Sequence, residues 1–370
     1  MTRPVSAHRE ILAKASAFAV SFLLVLPLAG TLFGRPASAQ EGTPLSPEAC
    51  VGIASDAERL ACYDRAMGHD RRPGEVDEAP PELMTPAHTK GGEPVDSPVA
   101  SSLLDSRWEL SRKAKLGTFG LRAYKPVYLL PSFYTDSPNQ RPTSPAPGHS
   151  VDESENQKRI EAKFQIGFKT KILQGVVSDR GDLWFGYTQS SRWQVYNSAT
   201  SRPFRETNYE PELMLVFPAH FRLFGMDGRL LGASFNHQSN GRSVPQSRSW
   251  NRLIGMIGLE HGAWSIVARP WWRIPEPAGS DDNPDIEDYV GRGDLTIVRR
   301  LRGHEVSMML RHSFSGSGSS RGAVELGWVF PIHRDLKGFL QIFHGYGESL
   351  IDYNQSATRV GLGISLLEWY

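Results

Sequence analysis

The chain has 370 residues and a net charge of +1, enough for one large domain and an appendage but without the basic excess that nucleic-acid binding uses. Hydrophobic residues make up 39% and aromatic residues 10%. That balance fits a secreted soluble protein or a transmembrane β-barrel, whose signal per strand is weak.

The N-terminus reads as a secretory signal over residues 1–39. Arg3, Arg9 and Lys14 supply a basic start, Ala15 to Leu28 is mostly apolar, and Pro36-Ala37-Ser38-Ala39 offers a small-residue cleavage box. Beyond it no apolar run reaches the roughly 18 residues that a spanning helix needs. Residues 40–70 read as a small helical element. Its two cysteines, Cys50 and Cys62, flank a capped helix start at Ser55-Asp56 and are expected to bridge in an oxidising compartment. A redox or metal pair would want a Cys-x-x-Cys spacing or a histidine partner, and neither is present. Residues 71–116 are expected to form a flexible linker, rich in Pro, Glu, Asp, Gly and Ser over 71–105.

From residue 117 to 370 the texture changes to short segments with period-two alternation. In Ala162 to Leu173, Phe164, Ile166, Phe168 and Ile172 share one side, and Lys163, Gln165, Lys169 and Lys171 the other. Counting such segments from Gly120 to the C-terminus predicts about twelve strands. Short turns such as His261-Gly262 and Arg302-Gly303 alternate with longer polar loops, the asymmetry of an all-β, twelve-stranded antiparallel transmembrane barrel. Pro218 to Gly228 is the exception, on the short side but not short. The terminal pair Trp369-Tyr370 is expected in the interfacial aromatic girdle. A soluble sandwich explains the apolar parity equally well but not the charged opposite faces.

The long-loop rim collects four polar clusters, Ser198 to Asn208, His237 to Ser249, Gly279 to Asp288 and Gly345 to Asn354. One of them carries chemistry. Leu231, Ala233, Phe235, His237 and Ser239 share a parity, so a histidine and a serine extend the apolar, lipid-facing side. Residues at i and i+2 of a strand lie about 6–7 Å apart, so His237 can serve Ser239 as a general base. Asn251, leading the next apolar strand, can accept from the imidazole N–H and hold its tautomer. A neutral amide suits a site beside lipid, where an unpaired carboxylate is costly. Asn240-Gly241 permits an unusual backbone, so the Gly241 amide could help to form an oxyanion hole. The polar run Arg205, Glu206, Glu210 and Glu212 reads as a network filling the lumen.

Five stretches, in order, resemble the signature blocks of the outer membrane phospholipase A family. They are Pro203 to Pro211, Asn236 to Ser243, Ser247 to Arg252, Asp281 to Asp285 and Gly345 to Asn354. The resemblance implies calcium-dependent hydrolysis of the acyl esters of phospholipids and lysophospholipids by an outer-membrane homodimer. It places the family's His–Ser–Asn triad on His237, Ser239 and Asn251 and its oxyanion donor on Gly241. It implies calcium held by the Ser247 side chain, the Arg242 carbonyl and the Ser201 carbonyl of a partner subunit, and a dimer-interface role for Gln189. Asp282 is kept from a further calcium site, but Val244 stands where the family commonly has an aspartate, which puts that site in doubt. Arg273 to Gly279 looks like a small insertion. Two rivals remain at this point: a non-enzymatic barrel, such as a small porin, and a soluble periplasmic esterase.

Overall fold

A computed structural model of the chain describes residues 47–53, 55–66, 102–314 and 321–370. The expected signal segment and most of the expected linker lie outside them. In the N-terminal unit a 3-10 turn, Pro47–Cys50, precedes α1, Asp56–Ala66. Cys50 and Cys62 are disulfide-bonded, with both sulfurs buried away from water.

The second unit is a closed antiparallel barrel. Its strands are β1 (Leu121–Ala123), β2 (Val127–Thr135), β3 (Ile160–Leu173), β4 (Asp182–Trp193), β5 (Phe204–Leu223), β6 (Met226–Ser239), β7 (Ser249–His261), β8 (Trp264–Arg273), β9 (Gly293–Leu301), β10 (His304–His312), β11 (Gly322–His333), β12 (Leu336–Tyr346) and β13 (Ser356–Leu367). From β2 onward each strand pairs with its sequence neighbours, and β2 pairs with β13 to close the ring. β1 and β2 both lie along β3, so together they form one broken stave, and the barrel has the twelve staves expected. The break falls at Lys125-Pro126, where proline has no N–H to give to the ladder.

The solvent logic is inverted. Lys163, Lys169 and Lys171 of β3 are buried, whereas Leu231, Phe235, Leu253 and Leu362 are each more than 40% exposed on the outer wall. In water this would place the charge where it costs most and the apolar area where it gains nothing. With hydrocarbon outside and a polar lumen inside, both placements become favourable. The readings as a soluble sandwich or soluble esterase do not survive this pattern. Among the described residues no helix is long and apolar enough to span.

Three expectations need correction. Pro218 to Gly228 is not a loop: β5 and β6 run on to a two-residue turn, Phe224-Gly225, with positive φ at both. Pro218, His220, Arg222 and Asp227 disguise these strands, and bulges at Pro218/Phe221 and Gly228/Leu230 absorb the irregularity. Residues 102–116, assigned above to the linker, are structured. α2, Leu103–Trp108, is capped by Ser102 and buries Leu104 in the lumen, and a 3-10 turn follows at Arg112–Ala114. Leu104 N–H and the Ser102 hydroxyl donate to the Glu260 carboxylate at 3.0 and 2.8 Å. Finally, Tyr370 does not join an outer girdle. Its hydroxyl lies 2.7 Å from that of Ser265, and it packs against the cluster of Leu104, Trp108 and Trp184. α2 and the C-terminus thus plug the short-turn end.

The loop 347–355 plugs the other end. Glu348 pairs with Lys163 at 2.8 Å, with Arg192 at 2.7 Å and with Arg359, while Asp352 pairs with Arg205 and Arg359 at 2.7 Å each. The Arg205–Glu212 run fills the lumen as expected. Arg205 pairs with Glu161, Glu206 accepts from Asn208 and the Ile351 amide, Glu210 meets Lys125 and Arg252, and Glu212 meets Arg269. Between the plugs remain cavities of about 250 and 140 Å³, unlike the open channel of a porin.

Candidate active site

The site sits on the outer wall at the long-loop rim, where β6 and β7 approach the loop 240–248. Strand period alone sends His237 and Ser239 of β6 outward, above the exposed Leu231 and Phe235. The register then pairs His237 with Asn251 of β7, and Ser239 with Ser249. Across that pair the His237 Nδ1 lies 2.9 Å from the Asn251 Oδ1. A carbonyl oxygen accepts only, so Nδ1 carries the proton in this contact. Nε2 is left as the atom available to the Ser239 hydroxyl. All three side chains are half-buried.

Gly241 follows at φ +64, and a Cβ there would come within 3.1 Å of the Tyr209 ring. Both facts call for glycine. Its N–H makes no hydrogen bond to a described residue. Beneath it Asn240 ties the loop down, with its N–H on the Arg248 carbonyl at 3.0 Å and its amide on the Gln246 carbonyl at 2.8 Å.

The expected metal ligands are partly gathered. The Ser247 and Ser249 hydroxyls donate to the Asp282 Oδ2 at 2.7 and 3.3 Å. The Arg242 backbone lies in the same loop, fastened by its guanidinium to the carbonyls of Phe204 and Arg205. Hydroxyl, carbonyl and carboxylate are all hard oxygen donors, which fits calcium. Ser201 sits apart, in the loop between β4 and β5, in a left-handed conformation. Val244 is exposed and its side chain brings no oxygen, and the second Asp282 oxygen is taken by His149 Nε2 at 3.0 Å. Gln189 lies on the outward face of β4, where its amide oxygen accepts from the Tyr187 hydroxyl at 3.0 Å.

Sequence reasoning missed two neighbours. His149 comes from the long β2–β3 loop, 133 positions before Asp282, and no local pattern announces it. Glu276 lies in the insertion, where its carboxylate accepts from the Asn251 amide at 3.0 Å. Its flanking prolines, Pro275 and Pro277, were the available sign that this segment is held rigid.

A histidine, a serine and an asparagine on the outward face of a plugged barrel define an integral membrane protein of the β-barrel class with a candidate catalytic site on its wall. Residues 104–366 match the family described as Phospholipase A1. Over 343 residues the chain is 39% identical to a Neisseria meningitidis serogroup B protein carrying the phospholipase A1 name, covering 85% of this chain and 89% of that one. It also resembles the calcium-bound dimer of the Salmonella typhi outer membrane phospholipase at a TM-score of 0.61 and 38% identity, covering 68% and 94% of the two chains. An active-site mutant of the Escherichia coli outer membrane phospholipase A, changed from asparagine to alanine, matches at 0.63 and 36% identity, covering 74% and 100%. The chain belongs to the phospholipase A1 family. Membership sets the barrel in the outer membrane and removes the non-enzymatic alternative.

Proposed function

We propose that the protein hydrolyses acyl ester bonds of phospholipids and lysophospholipids in the outer membrane, with Ser239 as nucleophile. The observation that carries this reading is the 2.9 Å contact between His237 Nδ1 and Asn251 Oδ1, on the strand face where Ser239 follows two residues later. The relative described as an asparagine-to-alanine active-site mutant supports an amide in that role.

A lipid lying against the outer wall brings its ester carbonyl to the rim, level with Ser239. His237 Nε2 takes the hydroxyl proton as Ser239 Oγ attacks. Asn251 keeps Nδ1 protonated and shares the positive charge that then develops on the ring. The Gly241 N–H donates to the carbonyl oxygen as it becomes an oxyanion. His237 next returns the proton to the leaving lysolipid oxygen. A water molecule, deprotonated by the same imidazole, cleaves the acyl-serine and releases the fatty acid.

Ser247 and the Arg242 carbonyl, with the Ser201 carbonyl of a partner subunit, would hold calcium, and Asp282 borders that site through Ser247. Bound there, calcium supplies positive charge for the developing oxyanion. That ligand set makes the homodimer the active form, with Gln189 at the interface. A related solved structure is described as a dimer with bound calcium, which supports the assignment.

The test is turnover of detergent-dispersed phosphatidylcholine with and without chelator. Excess EDTA is expected to stop fatty-acid release and added calcium to restore it. Full activity in EDTA would remove calcium from the account. Ser247→Ala is expected to raise the calcium concentration needed for half-maximal rate at least 10-fold.

A further inference from the structure

The insertion Arg273 to Gly279 has no part in the reaction as described above, yet it ends against the site. The Ile274 N–H donates to the Asn251 carbonyl at 2.8 Å, so the insertion continues the β7–β8 ladder beside the asparagine. Arg273 pairs with Asp281 at 2.6 Å and donates to the Pro284 carbonyl at 3.0 Å, which closes the base of the segment. The Ser280 and Asp281 amides both donate to the Pro277 carbonyl. With proline on either side, Glu276 is presented on a tethered, conformationally restricted turn. Its Oε1 accepts from the Asn251 Nδ2 at 3.0 Å.

We infer that Glu276 is a positioning residue for hydrolysis, fixing the Asn251 amide so that its oxygen faces His237 and adding a negative charge one residue beyond it. The logic is chemical. An amide is nearly symmetric in shape, and only the orientation with oxygen toward His237 keeps the imidazole in its working tautomer. A carboxylate accepts and never donates when ionised, so it bonds only the NH2 end and disfavours the flipped amide. The arrangement reads Ser239, His237, Asn251, Glu276 across three successive segments of the wall. The neutral asparagine stands between the imidazole and the charge, and the carboxylate itself sits at the half-buried rim, not against hydrocarbon. Burial raises the Glu276 carboxyl above its ordinary range, opposed by the Asn251 hydrogen bond and by Arg273 and reinforced by Asp281 and Asp282.

This inference rests on the Ser239–His237–Asn251 reading, and the two fail differently. If that reading is wrong, Ser239→Ala keeps its activity. If only the Glu276 inference is wrong, Ser239→Ala is dead and Glu276 variants are normal. The experiment compares Glu276→Ala and Glu276→Gln by kcat, KM and the pH dependence of kcat/KM on dispersed phosphatidylcholine at saturating calcium. Glu276→Ala is expected to lower kcat about 10-fold with KM within twofold, and Glu276→Gln, which keeps an acceptor without the charge, about threefold. Loss of the negative charge disfavours the imidazolium, so the acid limb is expected to move about half a unit to lower pH in both. In an Asn251→Ala background, Glu276→Gln is expected to lower kcat no further, because the amide it orients is gone. A merely anchoring glutamate would leave the acid limb in place. An unmoved limb in Glu276→Gln, or a Glu276→Ala kcat within twofold of the parent, overturns the inference. Should Glu276→Ala fail to fold, the limb of Glu276→Gln alone decides.

Discussion

The Ser239→Ala enzyme is expected to fold, insert and dimerise normally while losing about 10⁴-fold or more in calcium-dependent fatty-acid release. The size follows from the geometry. In the proposed mechanism Ser239 Oγ is the only atom that forms the covalent acyl bond, whereas Gly241, Asn251 and Glu276 act on charge or orientation around it. Its side chain is half-buried at the rim and no described residue hydrogen-bonds to it, so removing the hydroxyl leaves no orphaned partner. Unchanged heat-modified gel mobility with activity at background is the expected pair of readings. A variant retaining a tenth of the parent rate would exclude Ser239 as nucleophile.

The second large effect concerns stability. Glu348 is the shared counter-ion of Lys163, Arg192 and Arg359, each buried with it at the base of the plug. Replacing it with alanine removes the carboxylate that all three cations share and leaves Asp352 paired with Arg359 alone of them, and removing one partner of a buried pair costs about 3–5 kcal/mol. The Glu348→Ala barrel is expected to unfold at markedly lower temperature in detergent, measured by loss of the compact gel form. Arg192, Lys163 and Arg359 hold the Glu348 carboxyl below the ordinary carboxylate range, and Arg205 and Arg359 do the same for Asp352, in both cases overcoming the opposing effect of burial. Groups depressed in this way contribute stability that is fully present above the unfolded-state pKa of about 4 and is lost as pH falls through the lower folded values. Heat stability of the parent is therefore expected to hold from neutrality down to about pH 4 and to fall only in stronger acid.

The residues explain what could be read in advance. The outward placement of His237 and Ser239 needed only the alternation from Leu231 to Ser239, because a strand has period two whatever surrounds it. The barrel followed from the same alternation together with loop lengths. What failed were stretches where the barrel's own solvent reverses the usual signs. Phe204 to Asn208 looked like a polar loop, yet it opens β5 because Arg205, Glu206 and Asn208 point into a lumen that wants charge. Pro218 to Gly228 looked like a loop because β5 and β6 continue past the hydrocarbon, where polar side chains are at home on both faces. α2 is a six-residue helix, too short for periodicity to register, and its stability comes from Leu104 and Trp108 packing in the lumen. The contact of His149 with Asp282 depends on how loops 133 positions apart return to one rim, which no local pattern encodes, whereas Glu276 reaches Asn251 because the β7–β8 ladder runs on past Arg273.

Ser239 is proposed as the reactive residue on a wall that meets hydrocarbon. A long-chain fluorophosphonate, added to the dispersed protein with calcium and located by peptide mass spectrometry, addresses both parts at once. The expected result is a single adduct on Ser239, faster with the long chain than with a short water-soluble homologue and absent from His237→Ala. An adduct on another residue, or no adduct in an enzyme that is turning over lipid, would contradict it.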